Sequence, residues 1–189
     1  MTRLVAVLGS ATAPGRLHRA VSEALARAQA SGQASTELID LGAVSIAAAD
    51  GRPPEQLGDD TSATLASIAA AEAVLLATPV YRGSMTGTLK NLLDHVPTPA
   101  LRNKPVAIVA MGASDHHYLG AERHLRDVLA FFGALVCPTA VYLSSRDFSD
   151  GAVGEGAARE LDDAIAAALE LAGAGIGPLG PDPLGARTR

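Results

Sequence analysis

Leu4-Val5-Ala6-Val7-Leu8 is an unbroken apolar run. It passes directly into Gly9-Ser10-Ala11-Thr12-Ala13-Pro14-Gly15-Arg16, a stretch of small and hydroxyl-bearing residues that ends in a cation. Leu17, Val21, Ala24, Leu25 and Ala28 then recur at helical spacing. The reading is strand, loop, helix. A short continuous apolar run suits a strand buried on both faces of a parallel sheet. A small polar loop at the foot of a helix presents free backbone N–H groups to an anion. Ser10 and Thr12 add hydroxyl donors and Arg16 adds charge, so the stretch reads as a phosphate cradle. It is neither G-x-G-x-x-G nor a Walker loop, which takes support from dinucleotide and nucleoside-triphosphate sites. From this stretch alone, a plain strand-to-helix turn reads equally well.

The chain of 189 residues is the length of one domain with a full core. Hydrophobic residues make up 48%, which excludes a disordered chain, but aromatics are only 3%, so the core is aliphatic. A net charge of −5 argues against nucleic acid as a partner. No run approaches the ~18–20 apolar residues of a membrane span. A start on a core strand leaves no room for a signal peptide. The single cysteine, Cys137, stands in apolar surroundings and reads as a buried structural thiol in a reducing cytoplasm.

Further along, Thr36–Leu41 is short and charged for a central strand and belongs at an edge. Residues 42–60 form a long loop. Residues 61–71 are helical, with Asp59, Asp60 or Thr61 as cap. Ala73–Ala77 is the third strand and ends in the polar loop Thr78-Pro79-Val80-Tyr81-Arg82-Gly83-Ser84. A helix over 86–95 is stopped by Pro97 and Pro99. Val106–Met111 is the fourth strand, followed by Gly112-Ala113-Ser114-Asp115. The spacing predicts a helix over 116–132, then a fifth strand interrupted at Pro138. Residues 144–153 loop out, and a last helix covers 157–172. Residues 1–172 form the domain, and 173–189 are a Gly- and Pro-rich tail that folds against a partner.

Strands alternating with helices give a doubly wound α/β fold, a five-stranded parallel sheet with helices on both faces. Right-handed crossovers and an edge second strand favour the order 2-1-3-4-5. The small polar loops after strands one, three and four then converge at the switch point. One end of that crevice suits a phosphate. At the other, Gly112 allows backbone to approach a flat ring, and together they suit flavin mononucleotide, FMN. No nucleophile–base pair stands out. His116, His117 and His124 read as surface imidazoles, with no metal site evident.

At this point the chain resembles the NADPH-dependent FMN reductases of the flavodoxin-like superfamily, over Leu4 to about Tyr142. It is most similar to those that supply reduced FMN to alkanesulfonate-type monooxygenases. The likeness is carried by Ala77-Thr78-Pro79-Val80-Tyr81, by Gly87-Thr88-Leu89-Lys90-Asn91-Leu92-Leu93-Asp94 and by Leu101-Arg102-Asn103-Lys104-Pro105. The resemblance implies that Ser10 and Arg16 hold the FMN phosphate, with Thr12 standing where the family often has Arg. It implies that Pro79, Val80, Tyr81 and Arg82 line the ribityl chain and ring, and that Gly112, Ala113 and Ser114 flank the pyrimidine end. Leu17 and His18 replace common Ser residues. Arg123 or His124 stands where some members carry an extra Tyr.

The expected activity is an NAD(P)H:FMN oxidoreductase, with hydride passing from NADPH or NADH to FMN and no side-chain acid or base required. Expected partners are flavin and nicotinamide nucleotides, an FMNH2-dependent monooxygenase, and further copies of the chain in a homodimer or homotetramer. Two other readings stay open: a flavoprotein with tightly bound FMN that reduces quinones, azo compounds or metal oxyanions, and a flavodoxin-type electron carrier.

Overall fold

A computed structural model describes residues 1–115, 118–177 and 179–183. The opening run is β1 (Thr2–Leu8), with Leu4 to Val7 wholly buried. The strands β2 (Ala34–Asp40), β3 (Ala73–Pro79), β4 (Pro105–Met111) and β5 (Leu135–Val136) lie parallel to it in the order β2-β1-β3-β4-β5. Period-two alternation divides each central strand between two cores. Leu4, Ala6, Leu75 and Val109 face α1 (Arg16–Ala30) and α6 (Glu155–Gly173). Val5, Val7, Leu76 and Ile108 face α2 (Thr61–Ala70), α3 (Gly87–His95) and α5 (Tyr118–Phe132). That is why β1, β3 and β4 read as unbroken apolar runs, while the edge strand β2 keeps Thr36, Glu37 and Asp40.

The fifth strand is interrupted where expected. β5 (Leu135–Val136) pairs with Pro105–Val106, and β6 (Val141–Leu143) pairs with Val109–Met111. Between them lies Pro138, which has no N–H to give to a ladder. Thr86 caps α3, its hydroxyl accepting from the Leu89 N–H at 3.1 Å. At α2 the Asp59 carboxylate accepts from the Thr61 N–H at 3.0 Å, whereas Asp60 turns to the Ser45 N–H. Pro97 and Pro99 do end α3, but they also open a short helix, α4 (Thr98–Leu101), because proline is tolerated in a first helical turn.

The last helix extends beyond the expected 157–172 at both ends. Described residues of the tail lie back on the chain's own surface: Asp182 pairs with Arg102, and the Leu179 N–H donates to Asn103 Oδ1 at 3.2 Å. The expected start of α5 at His116, together with His117 and residues 184–189, lies outside the described residues.

Candidate active site

The loops after β1, β3 and β4 meet at the carboxyl edge of the sheet and enclose a cleft of about 380 Å³, a volume typical of small-ligand sites. Eight of the ten residues singled out from the sequence stand on its wall: Ser10, Thr12, Arg16, Pro79, Val80, Tyr81, Gly112 and Ala113. Arg82 and Ser114 belong to the same loops but are not on the wall.

The first loop closes on itself through its hydroxyls. Ser10, nearly buried, places its Oγ 2.9 Å from Thr12 Oγ1, and the Thr12 N–H points back to Ser10 Oγ at 3.4 Å. Gly15 then caps α1 without a side-chain bond, and the first turn holds no acidic residue. The N–H groups of Arg16, Leu17 and His18 precede any intrahelical acceptor, so the positive end of α1 is left uncapped at the cleft. His18 also lines the wall, with its Nε2 3.7 Å from Asp40 Oδ2 and its Nδ1 3.5 Å from Ser22 Oγ.

The second loop is set by backbone. The Val80 N–H donates to the Met111 carbonyl at 2.8 Å, which extends the β3–β4 pairing. Tyr81 and Ser84 then exchange two backbone bonds, at 3.0 and 3.1 Å, around Arg82-Gly83. Both central residues have positive φ, 54° and 78°, the mark of a tight hairpin turn. Tyr81 is left 53% exposed with its ring on the cleft wall. The start of α5 presses on this turn. A Cβ on Gly120 would lie 2.1 Å from the Gly83 carbonyl oxygen, and His124 Nδ1 lies 2.8 Å from Ser84 Oγ.

In the third loop the Gly112 N–H donates to the Leu143 carbonyl at 2.9 Å. The Tyr142 hydroxyl donates to the Ser114 carbonyl at 2.6 Å, and burial raises its pKa above the ordinary phenol value. A Cβ on Gly112 would stand 1.9 Å from the Tyr142 hydroxyl oxygen. Glycine is required there because the phenol already fills the space a side chain would take.

One segment differs from its expected form. Residues 144–153 do not loop out. Ser144 and Asp147 form a reciprocal capping box around a 3-10 turn at Ser145–Asp147. A small hairpin follows, β7 (Phe148–Ser149) with β8 (Ala152–Val153). This strap returns to the cleft. Arg16 Nη2 donates to Ser145 Oγ at 3.3 Å, and its guanidinium lies 5.3 Å from the Phe148 ring centroid. Ser145 Oγ donates to the Ala113 carbonyl at 3.4 Å, Arg146 pairs with Asp115, and Arg19 Nη1 donates to the Gly151 carbonyl at 2.6 Å.

Among the described residues, the wall carries Arg16 and His18 but no carboxylate. An uncapped helix start flanked by these groups suits an anion. The opposite end, built from Pro79–Tyr81 and the bare backbone of Gly112, suits a flat ring.

Known proteins resemble this chain in sequence and in fold. Residues 2–148 match the family described as NADPH-dependent FMN reductase. The chain is 32% identical over 148 residues to an NADH-dependent FMN reductase, SfnF, of Pseudomonas fluorescens, covering 78% of this chain and 79% of that protein. It is 34% identical over 152 residues to an FMN reductase (NADPH) of Pseudomonas aeruginosa, covering 78% and 80%. In fold it is similar to a crystal structure of an NADH:FMN oxidoreductase (EMOB) in its apo form, with a TM-score of 0.75 over 100% of this chain and 97% of that one, at 24% identity. The sheet order is the flavodoxin-like one expected from the sequence, and the chain belongs to the NADPH-dependent FMN reductase family.

Proposed function

We propose that the cleft binds FMN and a reduced nicotinamide nucleotide, NADPH or NADH, and that the chain acts as an NAD(P)H:FMN oxidoreductase. The observation that carries this reading is the uncapped start of α1 beside Arg16, in a cleft whose other end is built from Pro79, Val80, Tyr81 and Gly112. The phosphate sits at Ser10, Thr12 and Arg16. Pro79, Val80 and Tyr81 run along the ribityl chain and ring, with Arg82 behind them in the same turn, and Gly112 and Ala113 flank the pyrimidine, with Ser114 next in that loop. Bound FMN supplies the redox chemistry by accepting a hydride from the nicotinamide. The protein contributes position: donors aimed at the phosphate, and backbone amides near the ring edge that gains charge. No side chain is assigned an acid–base role.

FMN is read as a substrate that leaves. Among the described residues, Tyr81 is the one large flat side chain on the wall, and aromatic packing is a main source of ring affinity. A flavin held this loosely suits delivery of reduced FMN to a separate monooxygenase. The chain is further read as a homodimer or homotetramer. Two exposed aromatics, Tyr81 on the wall and Phe131 on α5, support this reading. The buried single thiol supports a place in the reducing cytoplasm, and no helix among the described residues is long and apolar enough to cross a membrane. The test is NAD(P)H oxidation with and without added FMN. The expected result is colourless purified protein whose rate saturates with free FMN. Protein that purifies yellow, with a rate indifferent to added FMN, overturns the released-flavin reading.

A further inference from the structure

We infer that the strap at 144–154 is a positioning element for the flavin phosphate, with Phe148 and Ser145 orienting Arg16; this rests on the FMN reading above. Arg16 is exposed and opens α1, so by itself its long side chain would sample many rotamers. Two contacts restrict it: the Ser145 hydroxyl accepts from Nη2 at 3.3 Å, and the Phe148 ring lies 5.3 Å from the guanidinium carbon. Neither contact uses up the cation. A guanidinium has five N–H donors, and one goes to Ser145, while the ring attracts charge without accepting it.

The support is itself held firmly. The capping box of Ser144 and Asp147 fixes the turn, the Gly154 N–H closes it on the Asp147 carbonyl at 2.8 Å, and Phe148 packs half-buried against the core shared with α1 and α6. Arg19, one turn along α1 from Arg16, ties the hairpin tip through the Gly151 carbonyl. Ser145 also donates to the Ala113 carbonyl at 3.4 Å, so one hydroxyl bridges the phosphate end and the ring end of the cleft. The strap thus fixes where the positive charge stands and how far that charge lies from the ring-side loop. Such a device makes flavin binding depend on the phosphate and not only on the ring.

The test compares FMN with riboflavin, which lacks the phosphate, by quenching of flavin fluorescence on the full chain. Phe148→Leu is expected to weaken FMN about threefold to tenfold and to leave riboflavin unchanged, and Ser145→Ala, which also frees the Ala113 carbonyl, is expected to weaken FMN by the same range and riboflavin by clearly less, the range expected for one exposed cation–π or hydrogen-bond contact. Phe148→Tyr, which keeps the ring, restores the FMN preference. In an Arg16→Ala background, Phe148→Leu adds nothing further. Equal weakening of both flavins, or additive losses with Arg16→Ala, overturns the inference. Should Phe148→Leu fail to fold, Ser145→Ala and Phe148→Tyr carry the same comparison. Wild-type protein that binds neither flavin overturns the FMN reading and this inference with it. A wild type that prefers FMN, with Phe148→Leu keeping the full preference, overturns the inference alone.

Discussion

The two edges of the sheet are finished in opposite ways. At the carboxyl edge the start of α1 is left without a side-chain cap, Gly112 is bare, and the Tyr81 ring stands half in solvent. At the amino edge the loose ends are tied. The Lys104 ammonium donates to the Ile68 and Ala69 carbonyls at 2.7 and 2.8 Å, closing the end of α2. Arg102 pairs with Asp182, and Asn103 accepts from the tail. One scaffold therefore carries an edge with unsatisfied groups and an edge where comparable groups are spent on stability. Changes at the first edge should alter flavin binding before stability, and changes at the second should do the reverse.

The sharpest way to break that contrast is Gly112→Ala. The new Cβ would lie 1.9 Å from the Tyr142 hydroxyl oxygen, so the phenol or the loop must move. We expect at least a tenfold loss of FMN affinity and a stability cost of ~1–3 kcal/mol, the range for overpacking. Adding Tyr142→Phe removes the clashing atom and should recover part of the melting temperature. No recovery would show that the strain lies elsewhere. Next in size is Arg16→Ala. A charge-assisted contact to phosphate is worth ~1.5–3 kcal/mol, so FMN should weaken about tenfold to a hundredfold while riboflavin holds. Equal loss for both flavins would mean that Arg16 only packs against the strap.

Those two residues also mark what the sequence made legible. Alternating burial on β1, β3 and β4 left unbroken apolar runs, and small polar residues followed each run, so the sheet order and the three converging loops were readable. The strap was not. Its strands are two residues long, below any periodicity, and its contacts with Arg16 span more than a hundred residues of chain. Two local signals were present all the same. Ser144-x-x-Asp147 has the spacing of a capping box. Asp150-Gly151, both at positive φ, is a hairpin-turn dipeptide. His18 was missed on the cleft wall for a different reason: its neighbours Asp40 and Ser22 come from β2 and α1, and only the fold brings all three to one place.

The amino edge gives a pH-dependent prediction. Burial pulls the Lys104 amine down from 10.5 to about 8. Between those values the unfolded chain holds the proton and the folded chain releases it, so this residue's contribution to stability rises with pH across the window. Below pH 8 both states are charged, and the cost of burying the ammonium is present in full. The amine remains partly solvated, so screening limits the gain to about 1 kcal/mol, or ~2–4 °C in melting temperature for a chain of this size. Relative to Lys104→Met, the wild type should therefore gain stability between pH 7.5 and pH 10, with no change in FMN affinity in either form. A difference that stays flat with pH would show that the amine does not titrate there.

The smallest effect is expected at Cys137, which lies in the break between β5 and β6. It is 2% exposed, and its N–H donates to the Val106 carbonyl at 2.9 Å. Arg126 Nη2 donates to its carbonyl and to that of Pro138, at 2.8 and 2.9 Å, which holds the interrupted strand in place. Burial raises the thiol pKa, so the reactive thiolate is scarce at neutral pH. A flavin reductase meets peroxide whenever reduced flavin reacts with oxygen, and an accessible thiolate would be a point of damage. Native protein should leave a thiol reagent unreacted and should label fully once unfolded. Cys137→Ala removes a small buried group whose neighbours are fixed by backbone bonds, so FMN affinity and turnover should match the wild type. Rapid labelling of the native chain, or a loss of FMN binding in Cys137→Ala, would mean that the crossing between β5 and β6 opens far enough to reach the cleft through β4.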